Sequence, residues 1–123
     1  MRAAVDNEMD VPVITLEGDI DHSAAEEIIG LFEDVVERTE SDILLLDVSG
    51  VTFLDSGGAN VFLRLMRGRR ADNWVGLVNP SSNIMRLLDI IGITRQESFR
   101  VFADMETARR AIETHRDLPS AEL

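Results

Sequence analysis

The residues best suited to chemistry are Asp55 and Ser56, which Gly57 and Gly58 follow directly. A serine hydroxyl can act as a nucleophile or receive a phosphoryl group, and either Asp55 or Ser56 can cap a helix. Two consecutive glycines weaken a helix, so in its first turn they indicate that another group approaches the backbone closely. A phosphate is one such group, because free amides at a helix N-terminus attract anions.

A serine hydrolase would need a base and a particular turn around Ser56. The nucleophile elbow has glycine two residues before and two residues after its serine; Gly58 fits this pattern and Leu54 does not. The histidines are His22 and His115, and neither has a second histidine at metal-ligand spacing. The chain also has no phosphate-binding Walker loop and no dinucleotide motif. We therefore predict no catalytic residue, no metal site, no cofactor and no enzymatic activity.

Charge and composition limit the partners. The chain has 12 Lys and Arg against 23 Asp and Glu, a net charge of −11, which repels nucleic acid and anionic membranes. It has no cysteine, which is typical of a reducing compartment, and no apolar run long enough to span a bilayer. We expect a cytoplasmic protein that binds neither nucleic acid nor membrane. We interpret the arginines of residues 64–70 as cations that stabilise the negative end of a helix dipole at the helix C-terminus.

Periodicity predicts the elements that position Ser56. Apolar runs indicate strands at residues 11–17, 43–46, 74–78 and 99–102, with 43–46 at the centre of the sheet and followed by a loop. Helical spacing predicts helices at residues 24–39, 59–70, 84–91 and 105–113. This alternation favours an α/β fold with a largely parallel or mixed sheet and right-handed crossovers.

Capping residues place the helix ends. Ser23 and Glu26 have the spacing of a capping box, and Asp55 or Ser56 is expected to cap the second helix. Ser81 or Ser82 begins the third helix, and Gly92 ends it in a left-handed conformation. We expect residues 1–123 to form one domain in which residues 116–123 fray.

Three blocks of the chain together resemble one family. Residues 47–65, the earlier segment 17–22 and the later segments 78–80 and 86–93 are similar, in order and spacing, to the STAS domain, specifically the stand-alone anti-sigma factor antagonists of bacteria. The resemblance implies the STAS fold, with a mixed central β-sheet of four to five strands and four helices packed mainly on one face.

The resemblance also implies a function. In that family an anti-sigma factor that is an ATP-dependent serine kinase phosphorylates the serine that corresponds to Ser56, and a serine phosphatase removes the phosphate. The unphosphorylated form binds the anti-sigma factor and thereby frees a sigma factor. The partner-binding residues would be Asp21, Asp55, Ser56, Gly57 and Gly58. Because Gly57 stands where the family has a second hydroxyl residue, an alternative is an accessory subunit that binds a transporter partner or an apolar ligand without phosphorylation.

Overall fold

In the part of the chain that the structure describes, five strands form one sheet in the order β1-β2-β3-β4-β5. The computed structural model describes residues 1–67 and 69–117. The strands are β1 (Arg2–Glu8), β2 (Val11–Ile20), β3 (Leu44–Leu54), β4 (Val75–Val78) and β5 (Phe99–Phe102). β1 is antiparallel to β2, and every later pair is parallel. The mixed sheet with β3 at its centre confirms the expected architecture.

Four helices of the described residues cover the two faces of this sheet. They are α1 (Ala25–Arg38), α2 (Ser56–Leu65), α3 (Ser82–Ile91) and α4 (Met105–Asp117), and a short 3-10 turn, His22–Ala24, leads into α1. Buried residues of α1, α2 and α3 share one core with the sheet, whereas Ala108 and Ile112 of α4 pack with Trp74 on the opposite face. The helices therefore lie mainly on one face, as expected.

The consecutive apolar residues at 43–46 are explained by burial on both faces of the sheet. Leu44 and Leu46 point into the core that α1, α2 and α3 cover, whereas Ile43 and Leu45 lie in the core beneath α4. Because neighbouring side chains of a strand point to opposite faces, a strand covered on both faces needs apolar residues at consecutive positions.

Two strand predictions were wrong. No strand was expected before residue 11, but residues 2–8 form β1, whose side chains are nearly all exposed and so show no apolar alternation. The loop expected after residue 46 is instead a continuation of β3, in which Asp47 pairs with Thr15 and Gly50 with Glu17. Register shifts between β2 and β3 carry the extended strand past these polar residues.

Two helices end at residues clearly different from those predicted. α2 begins at Ser56, directly after one of its two expected caps, but ends at Leu65 instead of residue 70. α4 continues to Asp117, so the first two residues of the expected tail are helical, and residues 118–123 lie outside the described part of the chain. The ends of α3 are confirmed: the Ser81 side chain caps its start, and Gly92 ends it with φ 85°.

The arginines after α2 were misassigned. Arg64 is still helical, but Arg69 lies beyond the helix end and donates to the carbonyl oxygens of Asp42 (3.3 Å) and Asn73 (3.1 Å). Its guanidinium also lies over the Phe32 ring, 5.4 Å from the centroid. Arg69 therefore connects the segments that precede β3 and β4, and it does not interact with the C-terminal dipole of α2.

Candidate partner-binding site

The site forms where the chain leaves β2 and β3. These strands are parallel, so both carboxyl ends lie at the same edge of the sheet. The Asp55 N–H donates to the Ile20 carbonyl at 3.4 Å, which holds the start of α2 against the chain that follows β2. The fold thus brings the segment that contains Asp21 next to Asp55 and Ser56, as the sequence interpretation required.

Asp55 caps α2 and leaves Ser56 free. Asp55 has an extended backbone, and its Oδ1 accepts a hydrogen bond from the Gly58 N–H at 2.7 Å. Ser56 is the first helical residue and is exposed, and its hydroxyl has no hydrogen-bond partner among residues 1–67 and 69–117. Of the two capping candidates, Asp55 is therefore the cap, and the Ser56 hydroxyl faces solvent.

The two glycines are explained by contacts within the protein. A Cβ at Gly58 would lie 2.3 Å from the Ile20 carbonyl oxygen, and a Cβ at Gly57 would lie 3.1 Å from the Cβ of His22. Hence the groups that approach this backbone belong to β2 and to the 3-10 turn. The sequence named a phosphate as a candidate for the group that approaches the two glycines; at Gly58 the structure shows the Ile20 carbonyl in that position.

Asp21 organises the neighbouring turn. Its Oδ1 accepts hydrogen bonds from the Ser23 hydroxyl (2.6 Å) and the Ala24 N–H (3.2 Å). The Ser23 bond, with help from backbone N–H groups, lowers the pKa of Asp21 below its ordinary value, so the carboxylate stays ionised near neutral pH. The predicted capping box was wrong: Asp21 takes the capping role, and Glu26 forms a 3.3 Å ion pair with Arg64.

A groove with mixed polar and apolar lining runs beside Ser56, between the 3-10 turn, the start of α1, and α2. Its volume is about 430 Å³, and His22, Asn60 and Arg64 are among its lining residues. Sequence reasoning did not place Asn60 and Arg64 in a groove beside Ser56. Their four-residue spacing from Ser56, which places all three on one face of α2, was the available signal.

An aromatic side chain lies at the rim of the site. Phe53 is 51% exposed and pairs in register with Asp19, whose carboxylate accepts a 2.8 Å hydrogen bond from the Thr52 hydroxyl. Exposed aromatic residues often anchor protein interfaces. The edge around Ser56 thus combines carboxylates with one apolar anchor, which is a surface suited to binding another protein.

The described residues contain no group of three or more His, Cys, Asp or Glu side chains arranged to hold a metal ion. No helix among them is both long and apolar enough to cross a membrane.

The family follows from a match over most of the chain. The model of the STAS domain family matches residues 2–108, and the chain therefore belongs to that family. A related sequence, the anti-sigma F factor antagonist of Paenibacillus polymyxa, is 24% identical over 76% of this chain and 80% of its own length.

Solved structures confirm the fold. An anti-sigma factor antagonist from Mycobacterium paratuberculosis superposes with a TM-score of 0.78 at 20% identity, over 91% of this chain and 93% of that one. The anti-sigma factor antagonist SpoIIAA in its unphosphorylated form gives a TM-score of 0.70 at 22% identity, over 97% and 100% of the two chains. The protein therefore has the STAS fold.

Proposed function

We propose that this protein is an anti-sigma factor antagonist. Its unphosphorylated form binds an anti-sigma factor that is a serine kinase, and this binding releases a sigma factor in the cytoplasm. Phosphorylation of Ser56 blocks the binding, and a serine phosphatase restores it. The protein is thus a binding module and a kinase substrate, with no catalytic activity of its own. The related sequence and structures named as anti-sigma factor antagonists support this function.

One observation carries the proposal: the Ser56 hydroxyl is exposed and has no structural task. Asp55 supplies the helix cap through its 2.7 Å bond to the Gly58 N–H, so the fold does not need the serine oxygen. If Ser56 itself were the cap, phosphorylation would have to break a structural hydrogen bond first. A kinase can instead reach this hydroxyl in the folded protein.

The local charges suit an electrostatic switch. A phosphate adds about −1.5 to −2 charges beside Asp55 and close to the ionised Asp21. A helix N-terminus tolerates an anion, so α2 should stay folded after phosphorylation. Phosphorylation would then act mainly on partner binding. A few kcal/mol of repulsion and desolvation at the interface would weaken binding by about two to three orders of magnitude.

The test uses wild-type protein, Ser56→Ala and Ser56→Asp as baits in lysate of the source cells. We expect the first two to capture an anti-sigma factor kinase, identified by mass spectrometry, and Ser56→Asp to bind the purified kinase about 100-fold more weakly by calorimetry. With ATP, that kinase should phosphorylate wild-type protein at Ser56 and leave Ser56→Ala unmodified.

Ser82→Asp is the matched control, because Ser82 is also an exposed serine at the first position of a helix. It should bind like wild type. Equal affinities of Ser56→Ala and Ser56→Asp for the kinase would refute the switch.

The accessory-subunit alternative is an outcome of the same test. Its main support was Gly57, but the 3.1 Å approach of His22 gives Gly57 a packing reason that is independent of phosphorylation. Capture of one transporter subunit by all three baits would favour the alternative. We also expect no labelling of Ser56 by a fluorophosphonate probe, since no hydrogen bond joins His22 to Ser56 in the described part of the chain.

A further inference from the structure

Among residues 1–67 and 69–117, no strand pairs with the outer edge of β1. β1 is the terminal strand of the sheet and pairs with β2 through seven consecutive residue pairs without a register shift. β1 contains no proline and no bulge, and its charged residues, Arg2, Asp6 and Glu8, protect the edge only against strands that do not supply opposite charges. It therefore offers a regular edge to which another strand can add.

The backbone groups on that edge can be assigned. Pro12 has no N–H and cannot exchange two hydrogen bonds with its partner Asn7. Asn7 and Pro12 therefore form a non-hydrogen-bonded pair, in which the N–H and C=O of Asn7 point away from β2. In agreement, the Asn7 N–H donates to the Asp6 side chain at 2.8 Å. The direction of the backbone groups alternates along an antiparallel strand, so the N–H and C=O groups of Ala3 and Val5 also point outward. Val5 adds an apolar side chain that is 49% exposed.

We propose that β1 pairs with β1 of a second copy of this chain, antiparallel about a two-fold axis at Val5. In this register all seven residues of β1 are used, and Val5 faces Val5 of the second copy. Ala3 then faces Asn7 of the second copy, and these outward groups can form about six backbone hydrogen bonds. The hydrogen bond from the Asn7 N–H to the Asp6 side chain breaks when this pairing forms.

Charge complementarity selects this register. Arg2 binds Glu17 of its own chain at 3.0 Å, and Glu8 binds Arg109. Pairing about Val5 places Arg2 opposite Glu8 of the second copy. A row of alternating charge then crosses the joint: Glu17 and Arg2 of one copy, followed by Glu8 and Arg109 of the other. The two-fold axis produces this row twice. Asp6 faces Ala4, so no acid opposes an acid.

Other pairings lack this match. A two-fold axis at Asp6 would place two Asp6 carboxylates opposite each other. At the other edge of the sheet β5 has four residues, and an axis at Arg100 would oppose two arginines. An axis at Ala4 would also oppose Arg2 with Asp6 but would use only residues 2–6, so the axis at Val5 is the register that combines charge pairing with the whole of β1.

Sedimentation velocity between about 1 µM and about 1 mM protein, in about 0.15 M salt, tests this proposal. We expect wild type to form a species of twice the 13.7 kDa chain mass. Val5→Pro should be monomeric, because it removes an N–H from the middle of the pairing edge without removing a bond to β2. Val101→Pro, on the exposed β5 edge, is the matched control and should still dimerise. Circular dichroism confirms that each variant is folded.

Charge variants give a second test that does not depend on proline. Arg2→Glu alone opposes Glu8 with a carboxylate, and Glu8→Arg alone opposes Arg2 with a cation, so each should dimerise about tenfold more weakly or worse. An equal mixture of the two should recover the wild-type affinity, because each copy then supplies the charge that the other lacks.

Three results would overturn the proposal: a wild-type protein that stays monomeric throughout, a dimer that persists in Val5→Pro, or charge variants whose mixture gains nothing. If β1 instead receives a strand from a different protein, the pure chain will be monomeric. The proposal does not rest on Ser56, so its failure leaves the proposed function untouched.

Discussion

Asp55 and Ser56 are neighbours in the chain but have different tasks. The Asp55 carboxylate holds the first turn of α2 through the Gly58 N–H, whereas the Ser56 hydroxyl holds nothing in the described structure. The proposed phosphorylation of Ser56 would therefore change the surface without breaking a hydrogen bond of the described fold. Gly58 is the third residue of this arrangement, because its missing side chain lets α2 lie against the Ile20 carbonyl.

Gly58→Ala should destabilise the protein by about 1–3 kcal/mol, because its Cβ would lie 2.3 Å from the Ile20 carbonyl oxygen and the backbone must move. Urea unfolding measures the change. Gly30→Ala is the control: a Cβ there meets nothing within 4 Å, so alanine in α1 should stabilise by up to about 1 kcal/mol. Equal effects of the two substitutions would show that the contact with Ile20 carries no strain.

At the scale of elements, carboxylates begin several helices. Asp21 caps the turn before α1, and Asp104 accepts 2.8 Å hydrogen bonds from the N–H and the hydroxyl of Thr107 at the start of α4. The Thr107 backbone N–H, and then its hydroxyl, lower the pKa of Asp104 below its ordinary value of 3.8; the Ser23 bond does the same for Asp21.

The stability from these two caps should depend on pH. Because the pKa of each aspartate is lower in the folded state, the stability that its ionised carboxylate contributes is complete above pH 3.8. This stability is lost as the pH falls through the lower pKa of the folded state. We expect the variant Asp21→Asn/Asp104→Asn, whose amides cap without titrating, to lose less stability than wild type over that acid window. Urea unfolding at a series of pH values measures both curves. Parallel curves would contradict the assignment.

At the scale of the whole molecule, the net charge of −11 dominates. Several surface ion pairs are present, among them Arg38 with Asp34 and Arg110 with Glu106, but exposed pairs of this kind contribute little. The remaining carboxylates repel one another in the folded state. The same excess favours a partner whose surface is basic around the Ser56 site.

Added salt should therefore stabilise the protein. Raising NaCl from about 0.01 M to about 0.3 M screens the repulsion among carboxylates more than it weakens the few exposed pairs, so the urea midpoint at pH 7 should rise. Dilute protein avoids any contribution from self-association, and KCl in place of NaCl should act equally. A midpoint that falls with salt would mean that the ion pairs outweigh the repulsion.

The sequence alone determined what depends on neighbours along the chain. The apolar run at 43–46 marked a strand covered on both faces, helical spacing marked four helices, and Asp55 and Ser56 were placed at a helix start. These features were predictable because side-chain periodicity and capping preference act over a few residues. The segment around Ser56 was therefore recognisable from residue types and their spacing.

Only the tertiary structure decided what depends on distant contacts. β1 exists because β2 pairs with it through a hairpin whose turn, Met9 and Asp10, lacks the usual Asn-Gly signal. β3 extends past Asp47 because β2 pairs with it there, and Arg69, which the helical spacing included in α2, instead donates to the Asp42 carbonyl. Asp55, not Ser56, became the cap once Gly58 lay against Ile20, since a capping preference names candidates and packing chooses among them.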